Sequence, residues 1–168
     1  MLIVNEKIKK MGKSRDMYTV SFFGHRQIDD LRDVDRALIP LLDGIFSRES
    51  HTVFLIGRNG EFDEYAASVI KRARRDFEAV INDLTLVLPY DVADIEYYEN
   101  YYDGIVIPEE LHGVHPKAAI RQRNRWMIER SDLVIVCVTR ARGGAYDAMN
   151  YANSLGKNVV NIAHDRNY

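Results

Sequence analysis

Apolar residues in this chain fall into short unbroken runs, separated by stretches where they recur every three or four positions. Tyr18–Arg26 opens with Val20, Phe22 and Phe23 and ends at Gly24-His25-Arg26; it reads as a buried first strand closed by a glycine turn. Thr52–Ile56, Leu84–Leu88, Leu133–Val138 and Asn158–Ile162 are further strand-length runs, of the kind expected from strands buried on both faces. Between them lie helical spacings. Leu31, Val34, Leu38, Leu41, Leu42 and Ile45 follow the caps Asp29 and Asp30, with Pro40 expected to kink that helix. Ala66, Ala67, Val69, Ile70, Ala73 and Phe77 mark a second helix, and Lys117–Arg130, after Pro116, a third. Ala145–Leu155, closed by Gly156, marks the last. Tyr90–His115 is irregular, with room for a short helix at Ile95–Tyr102 and a short strand at Gly104–Ile107. Strands alternating with helices predict a single α/β domain over 17–168, with a mostly parallel sheet of about five strands and helices on both faces. Met1–Asp16 reads as a poorly ordered arm.

In a parallel sheet every strand-to-helix loop lies at the same edge. Three glycine-bearing loops therefore converge there: Gly24-His25-Arg26, Gly57-Arg58-Asn59-Gly60-Glu61 and Arg140–Gly144. Each precedes a helix N-terminus, where free backbone N–H groups favour a phosphate or carboxylate. Arg26, Arg58, Arg140 and Arg142 add matching charge. None of the loops carries a complete dinucleotide or Walker fingerprint.

Composition narrows the setting more than the chemistry. At 168 residues the chain can bury a real core. Its one cysteine, Cys137, lies inside a strand run, is expected to be an inert buried thiol, and points to a reducing cytoplasm. No run approaches a membrane span, and no membrane partner is expected. A net charge of −2 argues against nucleic acid as a partner. His112 and His115 with Glu109 and Glu110 lack tight ligand spacing, so no metal site is expected.

The candidate residues are read against their structural alternatives. Arg26 clamps a phosphate or pairs with Asp29 or Asp30. His25 serves a ligand or caps a loop. Glu61 and Asp63 favour the first turn of a helix for dipole reasons alone, or hold a sugar hydroxyl. Arg123, Asn124 and Arg125 read as a charged helix face. The Tyr97–Tyr102 cluster stacks on a base, forms a subunit contact or joins the core.

Phe23-Gly24-His25-Arg26 after the first strand resembles the opening motif of one branch of the SLOG superfamily, Rossmann-like proteins related to the LOG phosphoribohydrolases and to DNA-processing protein A. Gly57–Asp63, Arg123–Met127 with Ser131–Ile135, and Gly143-Gly144-Ala145 with Gly156-Lys157 extend the resemblance over Tyr18–Ile162. In LOG enzymes the pattern Pro-Gly-Gly-x-Gly-Thr-x-x-Glu supplies a glutamate that acts on an N-glycosidic bond. Here Arg142, Tyr146 and Asn150 replace its proline, third glycine and glutamate.

The function expected from these readings is binding or sensing of a nucleotide-like small molecule by a homodimer, without a cofactor. Gly24, His25, Arg26, Gly57, Arg58, Asn59, Gly60, Asp63, Arg142, Gly143 and Gly144 would hold the ligand. The alternative is an N-glycosidase acting on nucleoside monophosphates. The resemblance makes Arg123 or Arg125 the counterpart of the LOG enzymes' arginine and gives Asn124 or Arg125 a place in the pocket. Arg125 with Glu61 or Asp63 would then flank the glycosidic bond, since cleavage through an oxocarbenium-like state wants a nearby carboxylate, which Asp147 could also supply.

Overall fold

The computed structural model describes residues 17–163. The arm read at Met1–Asp16 lies outside them. The chain runs β1 (Tyr18–Gly24), α1 (Leu31–Arg48), β2 (His51–Ile56), α2 (Glu61–Ala73), β3 (Ile81–Val87), α3 (Ile95–Glu99), β4 (Gly104–Val106), α4 (Pro116–Arg130), β5 (Leu133–Cys137), α5 (Gly144–Ser154) and β6 (Asn158–Asn161). The six strands form one sheet in the order β4-β3-β2-β1-β5-β6, and every pairing is parallel.

Strand alternation sorts the core into two layers. Val20 and Phe22, Phe54 and Ile56, Leu84 and Leu86, and Leu133 and Ile135 face α1 and α2. Phe23, Val53, Leu55, Val87, Val134 and Val136 face the other way, against Trp126, Met127 and Ile128 of α4 and Ala145, Ala148 and Ala152 of α5. Burial on both faces explains why the central strands read as unbroken apolar runs instead of alternating ones.

The departures from the sequence reading are local. The sheet has six strands, because Gly104–Val106 pairs with β3 as an edge strand. β3 begins at Ile81 and not at Leu84, since Ile81, Asn82 and Asp83 extend the ladder against His51, Thr52 and Val53 at a more exposed end. α1 continues through Pro40 as one element. Pro40 and Arg36, whose carbonyl loses its partner, are both exposed, so water can serve that carbonyl. Gly156 closes α5 with φ 67°, the left-handed conformation expected of a C-terminal glycine.

Candidate functional site

From β1 the chain steps outward through β2 and β3 to β4, then returns to the other side of β1 for β5 and β6. The carboxyl ends of β1 and β5 are therefore where successive crossovers part to opposite faces of the sheet. They leave a crevice there that neither helix layer fills. A cavity of about 430 Å³ occupies this point.

Three arginines on two loops line it: Arg26 after β1, and Arg140 and Arg142 after β5. All three are exposed, and none forms an ion pair with another described residue. Arg26 does not pair with the aspartates at the start of α1, because Asp30 caps that helix and binds Arg32 instead, at 3.2 Å. Gly143 and Gly144 complete this wall, and the N-terminus of α5 has no side-chain cap. Gly143 has φ 91°, a conformation that glycine adopts without a Cβ clash. Unpaired guanidinium groups around an uncapped helix N-terminus make an anion-binding arrangement.

The opposite wall holds a buried acid and base. Asp63, on the first turn of α2, is 8% exposed, and Arg123, on α4, is 3% exposed. Both reach under Gly57: a Cβ there would lie 2.6 Å from Arg123 Nη1 and 2.8 Å from Asp63 Oδ2. Only a residue without a side chain leaves room for the two groups. Asp63 Oδ2 accepts the Asn59 N–H at 3.0 Å. Arg123 donates from Nη1 to the Val87 carbonyl at 2.8 Å and from Nε to Asn124 Oδ1 at 2.9 Å. Burial pushes the Asp63 carboxyl up to about 6, with the Arg123 charge and the Asn59 N–H pulling the other way. Burial also lowers Arg123. Asn59 Nδ2, on the same wall, is buried without a protein partner.

The Asp63 shift has a definite sign for stability. Between its ordinary value of 3.8 and about 6 the folded chain holds a proton that the unfolded chain releases. The contribution of this group therefore grows as pH falls through 6 and levels off below 3.8. A carboxyl-selective NMR titration should place the Asp63 midpoint near 6; a midpoint at 4 or lower would show that the side chain is not desolvated.

His25 ties the two central loops together. Its Nε2 accepts the N–H of Thr139 at 3.1 Å and that of Arg140 at 3.3 Å, so the ring is neutral, with its proton assigned to Nδ1. Burial and the Arg140 charge hold its pKa below 6.5. Protonation removes both acceptor bonds. The unfolded chain takes up this proton first, so the stability contributed by His25 declines as pH falls below about 6.5. A His25→Gln variant should lose this component of the pH profile, in urea melts between pH 5 and 7.

Of the residues singled out in the sequence, Gly24, His25, Arg26, Gly57, Asn59, Asp63, Arg142, Gly143 and Gly144 line the cavity. Arg58 does not: its Nη1 donates to the Tyr98 hydroxyl at 2.8 Å, and its guanidinium lies over that ring at 5.2 Å. Gly60 sits against Arg26, whose Cα would be 2.6 Å from an added Cβ. Glu61 accepts the Ile28 N–H at 2.7 Å and holds the first loop. Arg125 lies over the Tyr151 ring at 4.8 Å, outside the cavity. Asn150, at the position of the LOG glutamate, is exposed and also outside. Arg140 and Asn124, both weighed in the sequence, line the wall too, and so do Arg123 and Ile120, which were not singled out as ligand residues. The available signal was the helix register: Ile120, Arg123, Asn124 and Met127 share one face of α4.

No family model matches the chain, and no curated protein matches it significantly. Solved structures do share its fold. DNA processing protein A from Streptococcus pneumoniae superposes with a TM-score of 0.61 at 16% identity, over 85% of this chain and 49% of its own. The Helicobacter pylori DNA processing protein A, described by its single-stranded DNA binding mode, gives 0.57 at 16%, over 84% of this chain and 63% of its own. TM1055 gives 0.51 at 16%, over 85% and 72%. The chain thus spans about half the length of the pneumococcal protein. At these identities the likeness is one of fold, and in fold it agrees with the SLOG resemblance, which named DNA-processing protein A. The expectation that nucleic acid is not a partner is corrected here, since a protein of this fold binds single-stranded DNA. Net charge averages over the whole surface, whereas three arginines concentrate positive charge on one cavity. Among the described residues no helix is long and apolar enough to cross a membrane.

Proposed function

We propose that this protein binds a phosphate-bearing nucleotide in the cavity between the β1 and β5 loops. The observation that carries this reading is the convergence of Arg26, Arg140 and Arg142 with the uncapped N-terminus of α5 on one hollow at the switch point of the sheet. The phosphate sits against Gly143 and Gly144, where an added Cβ would meet nothing within 4 Å. The sugar and base extend toward Asp63 and Asn59, a carboxyl and an unpartnered amide suited to hydroxyl and ring-nitrogen contacts.

Differential scanning fluorimetry with AMP, ATP and adenosine tests this. The phosphorylated compounds should raise the melting temperature, by the equivalent of about 2.7 kcal/mol at a hundredfold excess over Kd. Adenosine should do so far less. Arg142→Ala should weaken binding about tenfold or more, the loss expected for one charge-assisted contact, without lowering the melting temperature of the free protein. Equal effects of adenosine and AMP would refute a phosphate site.

One observation favours catalysis as a second reading. The Asp63 carboxyl lines the cavity and is raised to about 6, in the range of a general acid or base at neutral pH. With Asn150 outside and Arg125 held over Tyr151, an N-glycosidase on this chain would rely on Asp63 with Arg123. Release of free base from a nucleoside monophosphate, abolished in Asp63→Asn, identifies that activity.

A further inference from the structure

A second hollow, of about 230 Å³, lies between α4 and α5 and shares Ile120, Asn124 and Gly144 with the first. One of its sides is a row of cations. Lys117, Arg121 and Arg125 follow one another at four-residue spacing on α4, so they stack along one face about 6 Å apart. All three are exposed, and none pairs with a described carboxylate in an ion pair. Arg125 lies over the Tyr151 ring at 4.8 Å, and the Tyr151 hydroxyl is anchored to Glu129 at 2.6 Å. Asp147, on the α5 side, is the carboxylate of this hollow.

We infer that the α4–α5 cleft is a second anion subsite joined to the first, and that the ligand is a small nucleotide carrying two separated phosphates, such as a 5′-phosphorylated dinucleotide. The inference rests on the nucleotide reading of the first cavity and extends it. The first phosphate occupies the Arg26, Arg140 and Arg142 wall. The chain of the ligand passes Ile120 and Gly144, and the second phosphate meets Lys117 and Arg121. The second base stacks on the Arg125 guanidinium, which already lies over the Tyr151 ring. Asp147 is placed to accept a sugar hydroxyl. The two joined spaces are of pocket size, which suits a ligand of two nucleotide units better than a strand laid across an open surface.

Isothermal titration of the whole chain at low salt, with AMP and with the dinucleotide pApA, tests the inference. The second phosphate should make pApA bind about tenfold more tightly than AMP or better. Lys117→Glu and Arg121→Glu should abolish that advantage while leaving AMP affinity unchanged. Both positions are solvent-exposed on α4, and circular dichroism with a thermal melt confirms that the variants fold. If AMP binds and pApA gains nothing, or keeps its gain in both variants, the second subsite is refuted and the first stands. If neither binds, both readings fall. A twelve-nucleotide single strand that binds well beyond pApA, with the same loss in the variants, would make the cleft part of a nucleic-acid track and overturn the two-phosphate limit.

Discussion

Replacing Arg123 by leucine will destabilise the fold by about 2–4 kcal/mol at pH 7, because two hydrogen-bond acceptors lose their donor and the buried Asp63 carboxyl loses a compensating charge. Asp63 keeps its burial and its place under Gly57 but loses the Arg123 charge that pulls its carboxyl down. The Val87 carbonyl and Asn124 lose donors at the same time. For a domain of this size such a loss lowers the melting temperature by about 10 °C. Stability of the variant should also rise as pH falls, over a wider window than in the parent chain. Without Arg123 the carboxyl climbs further, and protonation removes the buried charge. Asp63→Asn in the Arg123→Leu background should recover the electrostatic part of the loss, whereas Asp63→Asn alone should cost less, because Arg123 keeps its bonds to the Val87 carbonyl and Asn124. Chemical denaturation of the four proteins measures this cycle. A coupling energy near zero between positions 63 and 123 would mean that the two groups do not sense each other.

Gly24→Ala is the second severe substitution, expected to cost about 3 kcal/mol or more through overpacking. An added Cβ would stand 2.2 Å from Phe62 Cγ and 2.5 Å from Phe62 Cβ. Phe62 is fully buried at the start of α2, so its ring has no free space to enter. The nearest relief is to push α2 away from the carboxyl end of β1. That movement carries Asp63 with it, so nucleotide affinity should fall together with stability. Phe62→Leu in the same chain keeps a Cβ and a Cγ, the atoms at 2.5 and 2.2 Å, and so should restore little of either. A Gly24→Ala protein as stable as the parent in urea would show that α2 is free to shift.

The two substitutions differ in how visible they were along the chain. Gly24 stands at the end of an apolar run, and its turn was legible. The ring it makes room for lies 38 residues onward and was not. Arg123 looked like one charge among Arg121, Arg125 and Arg130 on a polar helix. Its burial follows from the Val87 carbonyl and the Asp63 carboxylate meeting α4 at one point. Arg58 shows the converse. It sits in a glycine loop beside cavity residues, yet Tyr98, from the irregular stretch, draws its guanidinium outward. Glu61 shares its helix turn with Asp63, but it is spent on the Ile28 N–H. Local pattern places the backbone of a loop; it does not say which side chain finds a partner elsewhere.

By itself the chain determined the elements and the edge that carries the glycine loops. Strands buried on both faces must be continuously apolar, helices that cover them must be apolar on one side, and parallel strands put all their outgoing loops together. Only the tertiary structure decided that the strand order reverses between β1 and β5, which opens the cavity there. It also decided that Arg26, Arg140 and Arg142 line the cavity while Arg58 does not, and that Asp63 and Arg123 meet beneath Gly57. Those outcomes depend on contacts between residues far apart in the chain, and hydrophobic periodicity carries no record of them.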